Sequence, residues 1–69
     1  MVDIKVIKSF LRPRGIRSLR AWVRRAGIST QAIYMARAGR GISAANVGKL
    51  ARVVREDETV VRALLPGAA

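Results

Sequence analysis

The chain has no cysteine and no histidine, and only four of its residues are acidic. Without cysteine there is no disulfide framework, no thiolate metal site and no redox pair. Without histidine the usual general base and the commonest metal ligand are both missing. The acids are Asp3, Glu56, Asp57 and Glu58. One stands near the start and three are adjacent, so two carboxylates facing each other across a cleft are hard to assemble. Ser9, Ser18, Ser29 and Ser43 have no activating base in view, and helix capping accounts for at least three of them. No enzymatic activity is therefore expected, and with it no catalytic residue, cofactor, metal or small-molecule substrate. No apolar run approaches the roughly 18 residues that a bilayer span requires, so no membrane partner is expected. The first residues mix charged and apolar positions without the apolar centre of a signal peptide, which leaves a cytoplasmic protein as the default.

What is present is apolar and basic. Sixty-nine residues suffice for one domain with a small core. At 51% hydrophobic residues the chain is too apolar for a disordered basic tail. Fourteen Lys and Arg give a net charge of +10 and a pI near 11.9. Their placement says more than their sum: residues 4–55 hold thirteen bases and no acid. Such a field attracts phosphate polyanions and gains affinity by releasing their counterions. The competing reading is a merely solvated face, which a long acid-free run inside a folding sequence disfavours.

Helix signals recur along the chain. From Ser18 to Gly41 the pattern is two short helices broken once, at Ala26-Gly27-Ile28. Leu19, Trp22, Val23 and Ala26 fall at i, i+3, i+4 and i+7, one apolar face. Trp22 sits mid-stripe and reads as core rather than as a base-stacking platform. Gly27 takes positive φ without a Cβ clash, and Ser29 is placed to cap the next helix, with Ile28 and Ile33 spaced as a staple. This is the form of a helix-turn-helix.

The flanks follow the same grammar. Asp3 can cap a first helix, stapled by Val2 and Ile7, with Ile4, Ile7, Phe10 and Leu11 as its stripe. A strand competes there, because Val2, Ile4 and Val6 alternate and are β-branched. Arg12-Pro13-Arg14-Gly15 ends that element. Gly39 and Gly41 close the third helix and leave Arg40 in a loop. Ser43 caps a fourth helix with Val47, Leu50, Ala51 and Val54 inward. Gly48 inside it costs about 1 kcal/mol relative to alanine and reads either as a close helix approach or as a tolerated defect. The three adjacent acids suit the start of a fifth helix ending near Leu65, and residues 66–69 read as a frayed end. The expectation is an all-α, compact bundle of about five short helices forming one domain, 1–69, with the motif at 18–41.

The segment Ser18–Val54 resembles the Cro/repressor (Xre-like) helix-turn-helix family of phages and bacteria. The resemblance rests on Ala-Gly-Ile-Ser at 26–29, Ala-Gly-Arg-Gly at 38–41 and the fourth helix, Ile-Ser-Ala-Ala-Asn-Val-Gly-Lys-Leu-Ala-Arg-Val-Val at 42–54. It implies a lambda-repressor-like fold and a sequence-specific transcriptional regulator of double-stranded DNA, acting in a bacterial nucleoid or a phage-infected host. It also implies two-fold dimers on paired half-sites, for which Val60, Val61, Leu64 and Leu65 are the candidate homodimer face, unless they close the monomer core. Two positions depart from the family pattern. Val23 stands where a small residue is usual, and Arg37-Ala38-Gly39 replaces the usual acid, base and glycine.

The third helix can also be read by its faces alone. Ala32, Ile33 and Ala36 lie on one side, fit to pack on Trp22 and Leu19. Thr30, Gln31, Tyr34 and Ala38 lie on the other. Gln31 suits a bidentate pair with adenine, and Thr30 or Tyr34 a thymine methyl or a phosphate. Ser29, Arg17, Arg20, Arg24, Arg37 and Arg40 are the candidate phosphate contacts, with Arg12, Arg14, Lys49 and Arg52 as further cations. Five or six such contacts give a salt slope near −5. The rival binding mode is an architectural DNA or RNA binder without base readout. A basic amphipathic protein for anionic membranes or a protein partner is a third reading, weakened by bases on several faces.

Overall fold

The computed structural model of the chain describes residues 3–38 and 40–65, with positions 33, 36 and 37 as backbone only. Among the described residues every regular element is helical. Helix α1 spans Ile4–Leu11, and its N-cap Asp3 accepts from the backbone N–H of Lys5 at 3.0 Å and of Val6 at 3.3 Å. Those bonds satisfy first-turn donors, and the first element is a helix, not a strand. Ile7 and Leu11 are buried, with Ile4 and Phe10 packed beside them. Val2, the expected staple residue, lies outside the described residues.

Helices α1 and α2 end by one device. After a single 3-10 turn at Arg12–Arg14, Gly15 adopts φ +73° and the Ile16 N–H reaches back to the Leu11 carbonyl at 3.2 Å. Helix α2, Leu19–Arg25, starts on the Ser18 hydroxyl, which accepts from the Ala21 N–H at 3.2 Å. It closes at Gly27, φ +74°, where the Ile28 N–H reaches the Val23 carbonyl at 3.1 Å. Left-handed backbone strains any residue with a Cβ, so glycine suits both turns. The isoleucine after each glycine is then carried into the core, the apolar contact that completes such a cap.

Helix α3 spans Gln31–Arg37. It begins two residues after Ser29 rather than directly behind it, and Ser29 meets it through its carbonyl, which accepts the Ala32 N–H at 3.1 Å. The expected cap is thus displaced by a wider turn. Ile28 is buried as its staple role requires, whereas the Ile33 side chain lies outside the described residues, as does Gly39. The Arg40 N–H donates to the Met35 carbonyl at 2.9 Å just past the end of α3.

Helix α4, Ala44–Val54, opens on the Ser43 hydroxyl, which accepts from the Asn46 N–H at 3.3 Å. Its end repeats the earlier closures without glycine: Arg55 takes φ 57° and the Glu56 N–H reaches the Ala51 carbonyl at 3.1 Å. Helix α5, Glu58–Leu64, opens on Asp57.

Ile7, Leu11, Leu19, Trp22, Val23, Val47, Leu50, Ala51, Val54 and Val61 form the core with Ile16, Ile28, Ile42 and Leu65. Trp22 is its centre. The ring has no exposed surface, lies 6.0 Å from the Phe10 ring and donates its indole N–H to the Leu50 carbonyl at 3.0 Å. That bond ties α2 to α4 and satisfies the one polar atom the ring buries. The described residues form an all-helical, compact globule, which is the coarser part of the expectation. Among the described residues α1, α2, α4 and α5 supply the buried helical side chains, while α3 packs on α2 and meets the core through half-buried Ala32.

Two expectations change. Val61 and Leu65 are fully buried, and Leu64 packs against the same core. Of the stripe Val60, Val61, Leu64 and Leu65, the last three therefore close the monomer core where α5 packs on α4, and Val60 is half-buried beside them. Gly48 does not mark a close approach either. A Cβ placed there would meet nothing nearer than a Glu58 carboxylate oxygen at 3.8 Å.

Candidate nucleic-acid interface

Helix α3 presents an uncovered edge. Thr30, Gln31, Tyr34 and Ala38 are all exposed, and Tyr34 is 64% exposed, the most open large hydrophobic residue described. Met35 beside it is 40% exposed. Half-buried Ala32 faces inward, so the division of α3 into an inner and an outer side agrees with the helical period wherever side chains are described. The outer side carries an amide, a hydroxyl and a phenol, with no charge among its described side chains. These groups can donate to and accept from base edges or phosphate oxygens.

The elements on either side of α3 in the chain carry exposed cations. Arg17, Arg20 and Arg24, before and along α2, are exposed, and so is Arg40 beyond α3. None of these four side chains makes a hydrogen bond or ion pair among the described residues. Arg37 belongs to α3, but its side chain is not among those described. No charged residue described is buried, so no fixed counter-charge inside the fold neutralises these groups.

Arg14 behaves differently. Its guanidinium pairs with Glu56 at 2.8 Å, donates to the Phe10 carbonyl at 2.7 Å and lies 3.9 Å above the Phe10 ring. It clamps the end of α1 to the α4–α5 turn and is not a free phosphate contact. Arg62 pairs with Glu58 at 3.2 Å, one turn away on α5. Asp57 accepts from the Thr59 N–H at 2.9 Å and the Thr59 hydroxyl at 3.0 Å. The Thr59 backbone bond, then the hydroxyl, hold its carboxyl below the usual aspartate range. The three adjacent acids are thus committed at the α4–α5 corner, and Asp3, the cap of α1, is the one acid elsewhere.

A shallow cleft of ≈ 210 Å³ adjoins the N-terminal half of α3. Ser29, Gln31, Ala32 and Met35 form one wall, and Gly41, Ile42, Ser43 and Asn46 the other. The structure therefore brings the start of α4 beside the start of α3. Asn46 was legible only as a polar residue of α4, because nothing local announces its neighbour across the cleft.

Among the described residues no group of His, Cys, Asp or Glu is arranged to hold a metal ion, and no helix is long and apolar enough to cross a membrane. Compared with protein-family models, curated proteins and solved structures, the chain finds no match.

Proposed function

We propose that this chain is a helix-turn-helix DNA-binding module in which α3 enters the major groove and α2 lies across the sugar–phosphate backbone. The observation that carries the reading is the open Thr30–Gln31–Tyr34 edge of α3, supported by exposed arginines on the neighbouring elements whose side chains make no ion pair among the described residues. An ordinary solvated helix would carry Glu and Lys there, whereas this edge carries groups that discriminate base pairs. Gln31 is assigned to bidentate contact with an adenine, Thr30 and Tyr34 to a thymine methyl or phosphate. Arg17, Arg20, Arg24, Arg37 and Arg40, with Ser29, are assigned to the phosphates, where they fix register without reading sequence. The biological role that goes with this assignment is that of a Cro/repressor-like transcriptional regulator acting at the nucleoid, with no catalytic function.

Selection of bound fragments from random duplexes at physiological salt tests it. A recovered consensus is expected, and the double substitution Gln31→Ala/Tyr34→Ala should erase it while leaving non-specific affinity almost intact. Arg20→Ala should weaken binding to all sequences alike and lower the salt slope by about 1. Retention of every sequence equally by the parent protein would favour the architectural alternative, which uses the same positive field without the α3 edge.

A further inference from the structure

A second concave surface lies between the last turn of α2 and the outer side of α4. It encloses ≈ 200 Å³, with Ala26 and Val53 in its lining beside Arg25, Lys49 and Arg52. No described residue of α3 borders it, nor does Arg20 or Arg24. Helix geometry accounts for the separation. At about 100° per residue, Arg25 leaves α2 about 140° around from Arg20, so α2 sends cations to two flanks. Lys49 and Arg52 are one turn apart on α4, with Cβ atoms about 5–6 Å apart.

Among the described residues the fold gives these three side chains no ion pair. Glu56 follows Arg52 at i+4, a spacing that pairs charges in a continuing helix. Arg55 turns the chain there with φ 57°, and the Glu56 carboxylate meets Arg14 at 2.8 Å instead. Glu58 pairs with Arg62, and Asp57 caps α5. Each of these acids has its bonded partner elsewhere, although all three line one cleft with Arg52, and neither the Lys49 nor the Arg52 side chain makes a hydrogen bond or ion pair among the described residues. Arg25 reaches only the Gly15 carbonyl, at 3.5 Å, the outer limit for such a bond. Three cations around one small lining repel one another until an anion arrives.

We propose that this cleft is a second phosphate-binding face, which holds the backbone of another nucleic-acid segment so that one molecule bridges two duplexes. Two arginine forks match phosphate oxygens in bidentate geometry, and the lysine adds a point charge. No aromatic ring lines the cleft to stack a base, and Ala26 and Val53 offer no side-chain hydrogen bond, so the contact is independent of sequence. The inference relies on the function proposed above for the first duplex only.

The test loads the protein onto a bead-bound duplex and measures capture of a second, fluorescent duplex. Anisotropy with a single short duplex is read in parallel. Capture by the parent protein is expected, with a salt slope near −3 for three released phosphate contacts. The variant Arg25→Ala/Lys49→Ala/Arg52→Ala, checked for an unchanged helical circular dichroism spectrum, should lose capture about tenfold or more, a larger factor than its loss of single-duplex affinity; Arg25→Ala alone, at a residue not assigned to the first duplex, should lower capture with single-duplex affinity changed about threefold or less. Capture that survives the triple substitution would overturn the bridge, as would a parent protein that holds one duplex and never a second. Two other results also overturn it: co-sedimentation with phosphatidylserine vesicles, lost in the variant, in place of duplex capture; or inorganic tripolyphosphate displacing the second duplex at equal charge, which assigns the cleft to a free phosphate. A parent protein that binds no duplex sinks the earlier proposal too, whereas a parent protein that binds one duplex and captures no second sinks only this one.

Discussion

Helices α2 and α3 are neighbours of seven residues each, joined through one glycine turn, yet they use their side chains in opposite ways. Helix α2 buries Leu19, Trp22 and Val23 and carries its arginines on the outside. The described side chains of α3 are open at Gln31, Tyr34 and Met35, with only Ala32 turned toward the core. Each helix holds one of the three aromatic residues of the chain. Trp22 is wholly enclosed and Tyr34 is 64% exposed. The contrast separates two tasks: α2 anchors the fold, and α3 is held by the fold with its outer edge free for something else.

The sharpest way to break that contrast is to truncate the two aromatics in turn. Trp22→Ala removes the ring that joins α1, α2 and α4 and leaves the Leu50 carbonyl without its donor. The expected loss is about 3–5 kcal/mol, against a total stability of about 3–10 kcal/mol for a domain of this length. Circular dichroism at 25 °C should find the variant largely unfolded. A cooperative transition near that of the parent would show that Trp22 is no anchor.

Smaller effects sharpen the same picture. Ser18→Ala removes the acceptor for the Ala21 N–H at the start of α2 and should cost about 1 kcal/mol. In a domain this small that lowers Tm by about 4–8 °C. Gly48→Ala works in the other direction. The Cβ has room, with its nearest neighbour at 3.8 Å, so the variant should gain about 0.5–1 kcal/mol in urea unfolding and leave duplex affinity unchanged. A destabilised Gly48→Ala variant would restore the close-approach reading. Smallest of all, Gln31→Ala/Tyr34→Ala should change stability by about 0.5 kcal/mol or less, although its effect on sequence preference is decisive.

Much of the fold was legible because its signals are local. Asp3, Ser18 and Ser43 bond to N–H groups two or three residues away, and the stripes Ile4–Leu11 and Val47–Val54 need only the 3.6-residue period. What escaped were pairings that exist only once helices meet. The Arg14–Glu56 bridge joins residues 42 apart and the Trp22–Leu50 bond residues 28 apart; no spacing in the chain encodes either. Arg14 therefore read as one more available cation. The same limit governs α5: Val60, Val61, Leu64 and Leu65 form an apolar face by period alone, and only the packing on α4 decides that Val61, Leu64 and Leu65 face inward. For the candidate site, the exposed edge of α3 followed from helical angle. The α4 wall of its neighbouring cleft and the convergence of Arg25 with Lys49 and Arg52 did not.

Amide chemical shifts recorded while a bound duplex is titrated in ask most directly whether the free edge of α3 is the working surface. The largest changes are expected at Thr30, Gln31 and Tyr34, with lesser ones at Arg17, Arg20 and Arg40 and almost none at buried Val61 and Leu65. Shifts that leave α3 silent while another face responds would contradict the assignment of α3 to the groove.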